Sequence, residues 1–229
     1  MRPHSLIVIV LLALALVLGA CGDDDDAPRT GEGAVEPTAI ETGPESGCEE
    51  VPRPPPKETT AERPDTELDP AKRYRAVVRT NCGDFTIDLD VNGSPRTVAS
   101  FVSLARQGFY DDTSFHRIVP DFVIQGGDPA GDGSGGPGYS VVEPPPRGRR
   151  YEPGVVAMAK TEVDDPGTSG SQFFVVTGPG AGALEAIYAI LGRVSAGQET
   201  VDRIAALPVG PDESPLEPAV IETIEIDES

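Results

Sequence analysis

The chain has 229 residues, with 38 acidic side chains against 18 basic ones, a formal net charge of −20, three cysteines, two histidines and no tryptophan. A balance this acidic offers no long-range attraction to phosphate, which argues against nucleic acid or anionic lipid as partners.

The N-terminus reads Met1-Arg2-Pro3-His4 and then runs apolar from Leu6 to Ala20. At about fifteen residues the run is short for a membrane span and fits a secretory signal peptide. Leu18-Gly19-Ala20-Cys21 resembles the lipobox of bacterial lipoproteins, in which the cysteine is lipidated and the chain is cut just before it. The acidic run Asp23–Asp26 cannot continue a membrane helix. It also lacks the spaced ligands and turn glycine of a calcium loop. Residues 1–20 are therefore expected to be a signal peptide and Cys21 a lipidation site. An ordinary signal peptide with an incidental Cys21 is the alternative. The expected location is outside the cytoplasm, on the outer face of the cytoplasmic membrane or in a periplasm, with the lipid as the only membrane contact.

Residues 21–70 are rich in Pro, Glu, Asp, Gly and Thr and nearly free of aromatic and long aliphatic side chains. Such a segment buries too little apolar area to offset its ordering entropy and is predicted to be a disordered tether. The prolines from Pro52 to Pro56 favour extended polyproline geometry. Export would place Cys48 and Cys82 in an oxidising compartment. A disulfide between them is expected, stapling the end of the tether to the domain edge, with two free thiols as the alternative.

Residues 71–229 hold one core's worth of chain and no repeats. Tyr74, Ala76 and Val78 alternate with Arg75, Val77 and Arg79, and Phe85, Ile87 and Leu89 alternate with Thr86, Asp88 and Asp90. These runs flank Asn81-Cys82-Gly83 and predict a hairpin. Ser94-Pro95 supplies an N-cap and a first-turn proline. Val98, Phe101, Val102 and Ala105 follow at helical spacing, and Gly108 closes that helix. A second helix fits Gln198–Ala206, with Val201, Ile204 and Ala205 on one face. Val220–Ile226 reads as a last strand with Glu222 and Glu225 outward. Many short strands with two helices suggest an antiparallel barrel capped at its ends, because closure removes exposed edges.

The polar residues of the middle region carry the chemistry. Phe115-His116-Arg117-Ile118-Val119-Pro120-Asp121-Phe122-Val123-Ile124-Gln125-Gly126-Gly127-Asp128 and Gly170-Ser171-Gln172-Phe173-Phe174 interleave strand formers with a few polar groups. Alternation lets His116, Arg117, Gln125 and Gln172 share a wall with Phe122 and Phe174. One guanidinium, one imidazole, two amides and two phenyl rings suit a neutral amide ligand, not a metal or a phosphate. A guanidinium among apolar strand residues is costly unless it pairs or faces an accessible groove, a surface salt bridge being the plain alternative. With His4 removed, His116 is the one histidine of a mature chain, which leaves too few ligands for a structural zinc site. It is also the one candidate base for a serine triad, yet nothing near it resembles a nucleophile elbow. A histidine that merely helps build the wall is the alternative. Gly131-Asp132-Gly133-Ser134-Gly135-Gly136 matches a dinucleotide pattern, but Pro137 and Gly138 follow and no helix opens, so it reads as a flexible loop.

The two motifs, in this order and at this distance, resemble the cyclophilin family of peptidyl-prolyl cis-trans isomerases over residues 71–229. The resemblance implies a mainly β fold, a closed eight-stranded antiparallel barrel capped by two α-helices. It implies a catalytic group of Arg117, His116, Phe122 and Gln125. Val123, Ala159, Lys160, Gln172, Phe174, Leu184 and Tyr188 would line the substrate groove. Lys160 stands where many members have Asn, Tyr188 where a His is common, and Ala183 or Leu184 where eukaryotic members carry a tryptophan. No cofactor and no metal are expected, and the chain is expected to be a monomer.

The implied reaction fits these residue types. The X-Pro amide resists rotation by about 18–20 kcal/mol because its C–N bond is partly double. Rotation returns a lone pair to the prolyl nitrogen, and no bond is made or cut. Arg117 would donate a hydrogen bond to that nitrogen only in the twisted amide, which is differential binding of the transition state. The expected substrates are X-Pro bonds of exported polypeptides. A non-catalytic module or chaperone that holds proline-containing segments is the alternative.

Overall fold

The computed structural model describes residues 47–65 and 67–229. The expected signal peptide, Cys21 and the first part of the tether lie outside the described residues.

Strands β1 (Tyr74–Thr80) and β2 (Gly83–Leu89) form the hairpin, with Thr80 opposite Gly83. Their alternation is simple: Tyr74, Ala76, Val78, Phe85, Ile87 and Leu89 are buried. Helix α1 (Pro95–Arg106) follows, with Ser94 at its N-cap and Gly108 in left-handed conformation just beyond its end. The Ser94 side chain does not cap the helix. The Glu143 carboxylate does so from far along the chain, accepting from the Thr97 N–H at 2.9 Å and the Arg96 N–H at 3.3 Å. A negative charge there suits the positive end of the helix.

The middle of the chain is short strands: β3 (Thr113–Ser114), β4 (Arg117–Val119), β5 (Val123–Gly126), β6 (Val141–Val142), β7 (Val155–Met158), β8 (Thr168–Ser169) and β9 (Phe173–Val176). A 3₁₀ turn (Pro179–Ala183), β10 (Ile190–Ala196), α2 (Gln198–Ala205) and β11 (Val220–Glu228) complete the fold. Nine strands form one antiparallel sheet in the order β3-β11-β1-β2-β10-β7-β9-β5-β4, and β6 pairs with β8 alone.

The expected closed eight-stranded barrel is therefore corrected to a curled nine-stranded sheet whose ends, β3 and β4, do not pair. The backbone at that seam pairs elsewhere: the Phe115 N–H donates to Ala219 O at 2.9 Å and the Ile118 N–H to Glu213 O at 2.8 Å. A lone bridge between Ser114 and Asp128 is the nearest approach to closure.

The sheet is apolar on both faces over β5, β7, β9 and β10. Ile124, Val156, Met158, Phe173, Val175 and Leu191 enter the main core, beneath both helices. Their neighbours Val123, Val155, Ala157, Phe174, Val176 and Ile190 form a second, separate cluster. This explains why these strands read as unbroken apolar runs.

The tether expectation needs correction for residues 47–65. They lie extended against the domain. Glu49 N–H donates to Asn81 O at 2.7 Å, Lys57 N–H to Pro129 O at 2.8 Å and Ala61 N–H to Pro137 O at 2.9 Å. Cys48 and Cys82 form a disulfide across 34 residues, and Cys48, Ala61 and Leu68 pack on the main core. Composition misled because order here comes from docking, not from a core of the segment's own.

Candidate active site

The second apolar cluster is the floor of the site. Val123, Phe174, Phe122, Ala159, Leu184 and Tyr188 all belong to it, so six of the expected groove residues are brought together. Val123 and Phe174 are buried, while Phe122, Ala159, Leu184 and Tyr188 are half-buried and leave an accessible rim. The Phe174 and Tyr188 rings meet edge to face with centroids 5.4 Å apart. Tyr151 fixes this corner. Its hydroxyl donates to Tyr188 O at 2.8 Å and accepts from the Tyr188 N–H at 2.9 Å, while its ring lies against both Phe174 and Tyr188. Nothing in the sequence singled out Tyr151, because its role depends on a partner 37 residues away.

Phe122 is presented by the β4–β5 turn. Asp121 takes a left-handed conformation, and the Phe122 carbonyl accepts from the Thr177 N–H at 3.0 Å. Gly178 must be glycine for this approach, since a Cβ there would strike the Asp121 backbone.

The polar edge comes from register. Arg117 lies opposite Gln125 in the β4–β5 pair, and Gln125 lies opposite Phe174 in the β5–β9 pair. Gln125 Nε2 donates to Gln172 Oε1 at 3.0 Å. Gln172 Nε2 in turn donates to Gly133 O and Gly135 O, both at 2.9 Å. The glycine-rich loop is thus no nucleotide cradle. With Gln125, Ala159, Lys160 and Gln172 it walls a groove of about 650 Å³. The Lys160 ammonium is turned to its own loop, donating to Thr161 O at 2.7 Å and Asp164 O at 3.0 Å.

Arg117 is half-buried, and its Nε–H donates to Glu213 Oε2 at 2.6 Å. Its terminal nitrogens meet no hydrogen-bond partner among the described residues. Glu213 is held in turn: its carbonyl accepts from the Ile118 N–H at 2.8 Å, and its backbone is left-handed, at φ 64°. Sequence reasoning missed Glu213, which lies 96 residues from Arg117 in a loop with no motif.

His116 sits where the strand alternation breaks, since Phe115 and Ile118 on either side of the Arg117 pair both enter the core. It is only 7% exposed. Burial lowers its pKa below the ordinary imidazole value, the nearby Asp128 carboxylate opposing. His116 is nonetheless more exposed than Val123 and Phe174 of the floor, so exposure alone does not separate it from the groove.

The arrangement can hold a flat apolar ring against Phe122 and Phe174 while a guanidinium stands beside it. No nucleophile is needed. The family description for cyclophilin-type peptidyl-prolyl cis-trans isomerases matches residues 75–226. The chain is 40% identical over 176 residues to peptidyl-prolyl cis-trans isomerase B of Streptomyces anulatus, covering 69% of this chain and 98% of that protein. It is 38% identical over 176 residues to the probable peptidyl-prolyl cis-trans isomerase A of Mycobacterium bovis, covering 69% of this chain and 94% of that protein. A crystal structure of a Cryptosporidium parvum cyclophilin-type isomerase, obtained in the presence of the dipeptide Ala-Pro, superposes with a TM-score of 0.62 at 32% identity, covering 67% of this chain and 98% of that one. An apolar floor, a guanidinium on its edge and these likenesses agree: the chain belongs to the cyclophilin-type peptidyl-prolyl cis-trans isomerases.

Proposed function

We propose that this isomerase acts on X-Pro bonds of exported polypeptides and assists their folding outside the cytoplasm. The observation that carries the substrate reading is the half-buried rim of Phe122, Leu184 and Tyr188 over buried Phe174, which is in register with Arg117 across the intervening Gln125 of β5. The prolyl ring fills that floor, and the Arg117 terminal nitrogens donate to the prolyl nitrogen as the amide twists. The Ala-Pro dipeptide present with the Cryptosporidium relative supports the same ligand class. A protease-coupled assay with a proline tetrapeptide tests it. Peptide binding without faster isomerisation would leave only a proline-binding module.

Export is supported by the leader, the lipobox-like Leu18–Cys21 and the Cys48–Cys82 disulfide, which suits an oxidising compartment. In this reading Cys21 carries the anchor and the domain faces away from the cytoplasm. Cys21→Ser is then expected to move the protein from the membrane fraction to the soluble one, because acyl chains are the only membrane attachment. A variant that stays with membranes would mean that the apolar leader is retained.

Glu213 is a positioning residue in this scheme. It occupies Nε and so fixes the plane of the Arg117 guanidinium. Glu213→Ala should lower kcat by about tenfold, or roughly 1.4 kcal/mol of barrier, with little change in KM. Glu213→Gln, which keeps an acceptor, should recover part of the loss. Wild-type kcat in the alanine variant would remove Glu213 from the mechanism.

A further inference from the structure

We propose that residues 48–64 form a strap that braces both loops supporting the active site, so that this segment, outside the matched family core of residues 75–226, sets the enzyme's catalytic efficiency. The inference rests on the isomerase reading of the site and adds a positioning element to it.

The strap is fixed at its start by the Cys48–Cys82 disulfide and by paired bonds between Glu49 and Asn81, including Asn81 Nδ2 to Glu49 O at 2.7 Å. From there its prolines keep it extended, and every basic side chain between residues 47 and 65 is spent on the domain. Arg53 donates to Pro215 O at 2.7 Å. Lys57 donates to Asp111 O. Arg63 donates to Ser140 O, and its guanidinium stacks over the Tyr139 ring, 5.6 Å from the centroid. Isolated surface contacts of this kind contribute little to stability. Their placement is the informative part.

One arm reaches the loop that carries Glu213. Pro215 is two residues from Glu213, and the loop is closed by the Gly210 N–H to Ser214 O at 2.8 Å and the Leu216 N–H to Pro208 O at 2.8 Å. Arg53 therefore holds the loop whose carboxylate holds Arg117.

The other arm reaches the glycine-rich loop. Lys57 and Ala61 donate backbone bonds to Pro129 O and Pro137 O at its two ends, and Arg63 closes on Ser140. Gly131, Gly133, Gly135, Gly136 and Gly138 give this loop little conformational preference of its own. Yet the carbonyls of Gly133 and Gly135 are the ones that orient Gln172, and Gln172 orients Gln125 on the groove wall. Inside the loop the buried Asp128 carboxylate accepts from the N–H groups of Ala130, Asp132 and Gly133, and the strap adds the bonds that hold its two ends.

The two arms predict different kinetic signatures, because Arg117 acts on the twisted amide and the groove wall acts on bound substrate. In the full-length chain, Arg53→Ala should lower kcat by about fivefold, whereas Arg63→Ala should raise KM by about fivefold. The lysine variants at both positions keep a donor and should recover most of each loss. Ala61→Pro deletes one N–H from an already extended strand of chain and should act like Arg63→Ala. Circular dichroism melts within a few degrees of the parent separate positioning from unfolding. Reducing the disulfide should lower the parent's kcat/KM and leave the Arg53→Ala/Arg63→Ala variant no lower than before. Folded variants with parental kcat and KM would overturn the brace while leaving the isomerase reading intact. A parent protein that accelerates no X-Pro isomerisation would overturn both.

Discussion

Arg117→Ala is expected to lower kcat/KM for a proline tetrapeptide by at least about 100-fold, equivalent to roughly 2.7 kcal/mol of transition-state stabilisation. The effect should appear in kcat. In the planar amide the prolyl nitrogen has no lone pair to share, so the guanidinium gains its hydrogen bond only as the bond twists. The fold should survive the change. Arg117 lies on β4, a three-residue end strand, and its one ion pair among the described residues is with Glu213, whose side chain is 44% exposed. Pairs this exposed contribute about 0–1 kcal/mol, and Glu213 left alone can return to water. Arg117→Lys should restore little. An ammonium cannot hold Glu213 through one nitrogen while offering two others in a fixed plane. A folded Arg117→Ala enzyme with near-normal turnover would remove the guanidinium from the mechanism.

Cyclosporin is expected to bind this enzyme about two to three decades more weakly than it binds the eukaryotic relatives that carry a rim tryptophan. Here the rim is the end of the 3₁₀ turn, where Ala183 is exposed and Leu184 is half-buried in the apolar cluster. Neither side chain supplies an N–H donor, and a lost hydrogen bond costs about 0.5–1.5 kcal/mol. Roughly 100 Å² of missing apolar contact adds about 2.5 kcal/mol. The floor beneath is intact, since Phe122, Val123 and Phe174 share one cluster with Leu184. Drug sensitivity and catalysis should therefore separate. Calorimetric titration of the active enzyme is the direct measurement, and a nanomolar dissociation constant would show that the rim residue is not what sets affinity.

The sequence by itself determined the local elements and the composition of the groove. Alternation in Tyr74–Thr80 and Gly83–Leu89 defined the first hairpin because one face of each strand is buried. Helical spacing defined α1 and α2, since each buries a single stripe. The motifs around Arg117 and Gln172 lie on or beside β4, β5 and β9, whereas Ala159, Lys160, Leu184 and Tyr188 were expected from the family resemblance alone. What only the tertiary structure decided were the contacts between segments distant in the chain. Ser94 looked like the cap of α1, but the carboxylate of Glu143 fills that place. The barrel looked closed, but β3 and β4 are the two ends of the sheet, and the backbone beside them bonds to Ala219 and Glu213, far along the chain. Residues 47–65 looked like loose tether, because composition reports only what a segment can bury by itself. Docked on the domain, their few basic side chains and backbone N–H groups find carbonyls already positioned by the fold. Glu213 and Tyr151 carry no motif for the same reason. Each acts through a partner that the chain brings near only when the sheet has curled.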